Sequence, residues 1–478
     1  MDTQQHLDCD VLIIGAGSAG IEAYKAASEA GAFCILVERG PLGTTAQRSG
    51  DIPAALLQSA GSCVSALSRA QSCGLELSSF TLDNHEVLNA LRQVRARSTT
   101  EVLSFIYKIP ERQRLIGPAR FLDYNRVSVG VNENESIISF KCAVIATGSS
   151  PVIPYEIGRL GGALTSNDFF EQDRLPKSLA ILGSGMVGLS LGQALAHLGV
   201  EVTVFGRQSV WQFTDEQVAS AARTLLQRDF ALEMNAELSA VEKLNDGYGI
   251  YYLDENHYEN YLKTERILCA QMRQPNLDKL NLKALDLTLN EQGLLPINER
   301  TMQSRLGHIF VAGDAANMSM NTAKARRQGR LAGYNAASYP KLREEGPKVH
   351  LALTFTNPGL AIVGLSLDEM KARARQGHHF VAAEAKLSEG RFQLQRQEGG
   401  VVRLYCDERT HRPLGAEICA AGAEHMAHFL ALAFEQQLTI EELCDFDFYH
   451  PSLEEGLAQA CTFARKALAR TGNNAYVL

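Results

Sequence analysis

Glycines near the start of the chain recur at a spacing that suits phosphate binding. Gly15, Gly17 and Gly20 follow the apolar run 11–14 and open a stretch of helix formers, with Glu38 eighteen residues after Gly20. The first glycine allows a tight turn, the second lets the backbone approach a diphosphate, and the third permits close helix–strand packing. The amino end of the helix adds unpaired N–H groups and partial positive charge. Alone, such glycines could form an ordinary turn, but in this context they indicate a dinucleotide with Glu38 on its adenosine ribose.

A second loop repeats this pattern, with Gly183, Gly185 and Gly188 following the apolar run 179–182. The next strand ends at Arg207, where an NAD-specific chain would carry an acidic residue. An arginine can pair with a 2′-phosphate, whereas a carboxylate would repel it. NADPH is therefore expected, with NADH as the alternative if Arg207 is only a solvated loop charge.

Three further segments give the chain a family resemblance. They are the stretch 41–53, the run 307–314 that ends in Ile-Phe-Val-Ala-Gly-Asp, and the sequence 450–455 that reads His-Pro-Ser-Leu-Glu-Glu. With the two glycine loops, these segments resemble the flavoprotein (pyridine nucleotide) disulfide reductases, which include dihydrolipoamide dehydrogenase and mercuric reductase. Such enzymes pass electrons from a nicotinamide to FAD and then to a disulfide packed on the flavin.

The resemblance implies a fold, cofactors and an assembly. The expected class is α/β, with two Rossmann-like FAD- and NAD(P)-binding domains and an α+β C-terminal dimerisation domain. The boundaries would be 1–150 for FAD, 151–275 for NAD(P), 276–345 for a return to the FAD domain, and 346–478 for dimerisation. FAD, NADPH and a homodimer follow from the same resemblance. It also places cofactor contacts at Gly43, Thr147, Gly148, Arg273, Gly313, Asp314 and Ala323.

Asp314 stands at the end of the apolar run 309–312. The resemblance implies that its carboxylate accepts hydrogen bonds from the ribityl hydroxyls of FAD. The helix that starts near Thr322 would direct its dipole toward the flavin and stabilise negative charge there. The alternative is that Asp314 caps this helix or its turn.

The cysteine pair of the family is missing, since its two positions hold Ala46 and Asp51. A carboxylate cannot accept hydride or attack a disulfide, but Asp51 could donate or relay a proton if burial raises its pKa. It could pair with His450 of the partner subunit, or it could cap a helix, because Asp-Ile-Pro is typical of a helix start. Ala54-Ala55 and Leu189-Ser190-Leu191 also stand where the family carries a lysine and a glutamate that pair beside the flavin.

His450 and Glu455 match the HPxxxE pattern of the family. In relatives this histidine reaches across the dimer interface and shuttles a proton, while the glutamate orients its ring. The alternative for His450 is a structural role in the interface.

These observations predict an FAD-dependent NAD(P)H oxidoreductase. Hydride would pass from NADPH to flavin and then directly to an external small-molecule acceptor such as a quinone, a dye or a second nicotinamide. The alternatives are reduction of a disulfide substrate, as in dihydrolipoamide dehydrogenase, and a non-catalytic flavin- and NADPH-binding sensor.

Composition limits the class of partner and the compartment. A net charge of −8 predicts no nucleic-acid binding, and no apolar run is long enough to predict a membrane span. No secretory signal is visible at the start, and the ten cysteines show no CxxC spacing, which favours reduced thiols in the cytoplasm. Cys63 and Cys73 are the closest pair, and their separation on a predicted helix argues against a redox couple.

Overall fold

The computed structural model describes residues 5–70, 74, 81–131 and 135–471. Its first unit contains β1 (His6–Ile14), α1 (Ser18–Glu29), β2 (Cys34–Glu38), α2 (Thr45–Arg48), α3 (Asp51–Ala70), α4 (Asn84–Lys108), β3 (Arg114–Ile116), β4 (Ala119–Asp123), β5 (Arg126–Val129), β6 (Ser136–Ile145) and β7 (Ser149–Pro151). Strand β1 runs parallel to both β2 and β6, so that Val11 faces Cys34 on one side and Cys142 on the other. The continuous apolar run 11–14 is buried, as a parallel strand covered on both faces requires.

The second unit repeats this arrangement. It contains α5 (Tyr155–Gly158), α6 (Ser166–Phe169), β8 (Ser178–Leu182), α7 (Met186–His197), β9 (Glu201–Gly206), α8 (Glu216–Leu226), β10 (Ala231–Met234), β11 (Glu237–Leu244), β12 (Gly247–Leu253), β13 (Glu259–Thr264), β14 (Arg266–Cys269) and β15 (Arg273–Pro275). Its parallel sheet has the order β10-β9-β8-β14, and β11, β12 and β13 form a separate antiparallel sheet. Strand β15 pairs with β7, so the chain enters and leaves this unit through one two-stranded ribbon.

The chain then returns to the first unit. This part contains β16 (Ile297–Asn298), β17 (Gln303–Ser304), β18 (Ile309–Val311) and α9 (Thr322–Ser338). Strand β18 lies parallel to β6, with Ile309 opposite Ala143. Helix α9 packs tightly on α1, because a Cβ atom at Gly329 would lie 2.1 Å from the carbonyl oxygen of Ala19. Residues far apart in the sequence therefore complete the first nucleotide-binding unit.

The C-terminal unit is built on an antiparallel sheet with the order β19-β20-β23-β22-β21. Its elements are β19 (Leu351–Thr354), β20 (Gly359–Gly364), α10 (Leu367–Ala374), β21 (Phe380–Leu387), α11 (Arg391–Leu394), β22 (Gly400–Asp407), β23 (Pro413–Ala420), α12 (Ala423–Glu435), α13 (Ile440–Cys444) and α14 (Glu455–Thr471). Helix α12 packs on β20 and α14 packs on β21 and β22. Two nucleotide-binding folds and an α+β unit confirm the predicted fold class.

A buried polar network joins the second unit to this antiparallel sheet. Glu417 of β23 is fully buried and accepts hydrogen bonds from Thr214 N (3.0 Å), Thr214 Oγ1 (2.7 Å), Asp215 N (3.1 Å) and Leu367 N (3.0 Å). Asp215 is also buried and accepts from Arg403 Nε at 2.7 Å and Tyr405 Oη at 3.0 Å. Buried carboxylates are tolerated when donors surround them in this way. The network therefore fixes the start of α8 against the C-terminal unit.

None of the helices in the described ranges is both long enough and apolar enough to cross a bilayer. Nor do the side chains described there bring together three or more His, Cys, Asp or Glu groups that could hold a metal ion.

Candidate active site

The first glycine loop connects β1 to α1 in a conformation that depends on glycine. Gly15 has φ +109°, and a Cβ atom there would lie 2.3 Å from the carbonyl oxygen of Ala146. A Cβ atom at Gly20 would lie 1.8 Å from the carbonyl oxygen of Gly15, so α1 can approach the loop only without a side chain. Gly17 is the N-cap of α1 and leaves its amino end free of a capping side chain. That end can therefore receive an anionic group.

Glu38 at the end of β2 stabilises this loop through two hydrogen bonds. Its Oε2 accepts a hydrogen bond from Ala16 N at 2.7 Å, and its Oε1 accepts one from Gly40 N at 3.0 Å. Each carboxylate oxygen keeps a further lone pair. The residue thus lies beside the glycine loop, with acceptor capacity left for the ribose hydroxyls that the sequence assigned to it.

The second loop has the same geometry. Gly183 has φ +121°, and a Cβ atom at Gly188 would lie 1.9 Å from the carbonyl oxygen of Gly183. Gly185 is the N-cap of α7, and no atom lies within 4 Å of the place where its Cβ would be. This open space is what the backbone needs to approach a phosphate group.

Arg207 follows β9 and is exposed. Its guanidinium has no hydrogen-bond or ion-pair partner among the residues that the structure describes. The loop folds back on the phosphate loop, since Trp211 N donates to the carbonyl oxygen of Ser184 at 3.1 Å. Ser209 Oγ is buried in this turn and has no partner. An unpaired arginine and an unpaired hydroxyl therefore lie on the turn after β9.

A cleft of about 210 Å³ lies between the two nucleotide-binding units. The predicted site residues that line it are Gly17, Asp51, Gly148, Arg273, Gly313 and Asp314. Ala46, Ala54 and Ala55 line it from the first unit, and Ser190 and Leu191 line it from α7. The substituted positions singled out in the sequence therefore share one cavity, whose wall at these positions carries no cysteine, lysine or glutamate.

Asp314 belongs to a short hydrogen-bonded chain on the wall of this cleft. Its Oδ2 accepts from Ser149 Oγ at 2.8 Å, and its Oδ1 accepts from Met320 N at 3.2 Å. Arg273 donates to Ser149 Oγ and to the Ser149 carbonyl oxygen, both at 2.8 Å. Burial lowers the pKa of Arg273, and the charge of Asp314 opposes that shift. Asn321, and not Asp314, caps α9, although Asp314 does hold the turn before that helix.

Asp51 is the first residue of α3 and is exposed to the cleft. Its Oδ2 accepts a hydrogen bond from Thr322 Oγ1 at 2.6 Å. Of the described backbone N–H groups in the first turn of α3, none donates to this carboxylate. Asp51 therefore links the amino ends of α3 and α9, and Ala323 follows Thr322 in the first turn of α9.

His450 and Glu455 lie outside the cleft and contact each other. His450 Nδ1 lies 2.7 Å from Glu455 Oε1, and Ser452 N donates to Glu455 Oε2 at 3.1 Å. The hydrogen bond from His450 lowers the pKa of Glu455. The His450 side chain is 77% exposed, and its Nε2 has no hydrogen-bond partner among the described residues. The structure thus brings the dyad together but does not bring it to Asp51 within one chain.

Buried polar atoms without partners test whether these residues fit FAD. Thr147 Oγ1 lies next to Gly148, and both side-chain polar atoms of Asn317 lie three residues after Asp314; all three atoms are buried and unpaired. Buried polar groups normally have partners, so these atoms match a polar ligand that runs from the first glycine loop to the cleft. The residues present therefore fit FAD. Ser149, Asn317 and Thr322 were missed in the sequence, where only their closeness to Gly148, Asp314 and α9 could have indicated them.

The remaining predicted position, Gly43, has φ +103° and lies against Thr99 of α4.

Nine described cysteines are all free, and none of them lines the cleft. Cys73 lies outside the described residues.

Comparisons with known proteins give the family. Residues 9–329 match the model of the pyridine nucleotide-disulphide oxidoreductases, and residues 351–461 match the model of their dimerisation domain. A mercuric reductase of Staphylococcus aureus is 28% identical over 96% of this chain and 83% of its own length. A dihydrolipoyl dehydrogenase of Buchnera aphidicola is 27% identical over 95% of each chain.

Among solved structures, the Cu(II) complex of the HOCl-induced flavoprotein disulfide reductase RclA from Escherichia coli has the same fold. It superposes with a TM-score of 0.81 at 21% identity, over 95% of this chain and 99% of that chain. The match to the dimerisation model supports a homodimer. The chain thus belongs to the pyridine nucleotide-disulphide oxidoreductase family, whose members are FAD-dependent oxidoreductases that also bind NAD(P).

Proposed function

We propose that this protein oxidises NADPH and reduces an external small-molecule acceptor directly at the flavin, without a protein disulfide between them. When bound, FAD supplies the hydride-accepting and electron-donating chemistry. The observation that carries the proposal is the lining of the cleft, where Ala46 and Asp51 stand at the two cysteine positions and where no described cysteine is found. Thiol–disulfide exchange requires an attacking thiolate, which neither residue can supply.

The other described thiols are poor substitutes. Burial raises the pKa of Cys142 and of Cys269 to about 11, so both remain protonated near neutral pH. Cys63 is exposed, but it lies twelve residues after Asp51 on α3, about 18 Å along the helix at 1.5 Å per residue. These positions and protonation states support a route that does not use sulfur.

The cleft itself favours an acceptor with a flat ring that packs against apolar side chains. Ala54, Ala55, Ser190 and Leu191 present small or apolar uncharged side chains there. A quinone, a dye or a second nicotinamide ring could pack against such a wall with little loss of hydration. Asp51 is held by the hydroxyl of Thr322 and is exposed to the cleft, so it is the group that could relay a proton from solvent to an acceptor that takes up protons.

Arg207 supports NADPH as the donor. Its exposed guanidinium has no partner among the described side chains, and the buried Ser209 hydroxyl nearby also lacks one. A 2′-phosphate could accept hydrogen bonds from both groups. A reducing compartment such as the cytoplasm agrees with the free state of the nine described cysteines.

An anaerobic titration of the holoprotein with NADPH tests this function. We expect one equivalent of NADPH per FAD to bleach the flavin fully, followed by rapid reoxidation when a quinone is added. A requirement for two equivalents would reveal a second two-electron store and would contradict the proposal. Persistent oxidised flavin would instead indicate the non-catalytic sensor.

A further inference from the structure

Arg48 is the last residue of α2, and its side chain is half-buried. Its Nε atom is buried and has no hydrogen-bond partner among the described residues. Its guanidinium also makes no ion pair with any residue in the described part of the chain. Burial lowers the pKa of Arg48, because it disfavours the charged form of the guanidinium. An unpaired cation in such a place is costly, so a partner from outside the chain is expected.

The neighbouring Arg95, in contrast to Arg48, has hydrogen-bond acceptors for its guanidinium group. Its Nη1 and Nη2 donate to the two carboxylate oxygens of Glu171 at 2.7 and 3.2 Å. Nη1 also donates to the carbonyl oxygen of Arg48 at 3.1 Å, which fixes the backbone from which the Arg48 side chain extends. Glu171 is thus hydrogen-bonded to Arg95, although its charge also acts on Arg48 and raises the pKa of Arg48.

The surroundings of Arg48 indicate the kind of partner. Its aliphatic carbons lie beside Gly43, with Cδ 3.6 Å from the place where a Cβ of Gly43 would be. The charge of Glu38 acts on Arg48 and raises its pKa, although the two groups are not in ion-pair contact. Glu38 in turn accepts from Ala16 N in the first glycine loop. Glu38 therefore connects Arg48 electrostatically with the loop whose N–H groups would receive the cofactor phosphates.

We propose that Arg48 binds the diphosphate of FAD and supplies the positive side chain that the glycine loop lacks. The loop contributes N–H groups and the partial charge of α1, and a diphosphate carries two negative charges. Arginine can donate two hydrogen bonds to such a group at once. The inference depends on FAD binding and not on the acceptor, so it stands or falls separately from the absence of a disulfide relay.

The test compares FAD binding in Arg48→Met and Arg97→Met. Arg97 is a matched control because it is an exposed arginine of α4, two residues after Arg95, and loses the same charge. We expect Arg48→Met to weaken FAD binding about tenfold to a hundredfold, measured from the fluorescence of FAD released on dilution of the holoprotein. The affinity of the variant should also depend less on salt, since a charge–charge contact is gone. Arg48→Lys should recover part of the affinity, and Arg97→Met should bind FAD as the unmodified protein does.

A second readout separates binding from a structural role. After removal of FAD, Arg48→Met should be at least as thermally stable as the unmodified apoprotein, because a poorly solvated charge has been replaced by an apolar side chain. ADP, which carries the diphosphate, should lose affinity in the variant, whereas adenosine should not. Unchanged FAD affinity and salt dependence would overturn the proposal. Equal loss of stability with and without FAD would also overturn it, since Arg48 would then be structural.

Discussion

The buried carboxylate of Glu417 offers the sharpest test of how the units are held together. Replacement by alanine leaves four donors without an acceptor: Thr214 N, Thr214 Oγ1, Asp215 N and Leu367 N. Each buried donor left unsatisfied costs about 1–3 kcal/mol, and water entering the space of the lost side chain would satisfy some of them. We therefore expect Glu417→Ala to lower the free energy of unfolding by about 4 kcal/mol, in the range for a broken buried charge network. Glu417→Gln keeps one acceptor oxygen, and about 2 kcal/mol is expected.

The chain contains one tryptophan, and Trp211 lies three residues before Thr214. Urea unfolding followed by its fluorescence therefore reports on this junction directly. Glu389→Ala is the control, because Glu389 is exposed and should change stability by about 0.5 kcal/mol or less. The variants at 417 should also raise the KM for NADPH more than they lower kcat, since the same segment leads back to Arg207. If Glu417→Ala unfolds within about 1 kcal/mol of the unmodified protein, with unchanged tryptophan emission, the energy assigned to this network is wrong.

Three further predictions concern the chemistry. Between pH 7 and 9 a thiol reagent should label the native protein quickly at Cys63, a signal lost in Cys63→Ser. Prior reduction with NADPH should release no additional thiols, because the nine described cysteines are free and form no disulfide that could be reduced. Two new thiols per chain would contradict this. Arg207→Ala should raise the KM for NADPH about tenfold to a hundredfold and leave the KM for NADH nearly unchanged. Equal increases in both KM values would exclude a contact between Arg207 and the 2′-phosphate. Asp51→Asn should slow quinone reduction about tenfold or more. It should not slow ferricyanide reduction, because ferricyanide takes up no proton. Equal effects on both rates would show that Asp51 does not transfer the proton.

The overall fold was largely predictable because its signals are local. Buried strands appear as continuous apolar runs, and each glycine loop combines a strand, a turn and a helix within about 30 residues. The same locality identified His450 and Glu455, which are five residues apart and do contact each other. The specific roles assigned to these residues stay predictions.

Contacts between distant residues were beyond such reasoning. The sequence was equally consistent with Asp51 as a helix cap and as a proton-transfer group. The contact that the structure shows, with Thr322, joins residues 271 apart in the chain. Glu417 gave no signal in the sequence, and its partner Thr214 lies 203 residues away. Arg48 lies between Ala46 and Asp51 in the sequence. Only the structure indicates a ligand-binding role for it, because its buried Nε atom has no hydrogen-bond partner among the described residues.

The amino-acid sequence by itself determined the two nucleotide-binding units, the family and the presence of Ala46 and Asp51 at the expected cysteine positions, because each depends on residue types at short fixed spacings. The tertiary structure alone decided that the substituted positions share one cleft, that Asp51 is held by α9, and that Glu417 joins two units. The physical reason is that a hydrogen bond or an unsatisfied buried charge depends on which surfaces come into contact after folding. The spacing of residues along a short stretch of sequence does not specify those contacts.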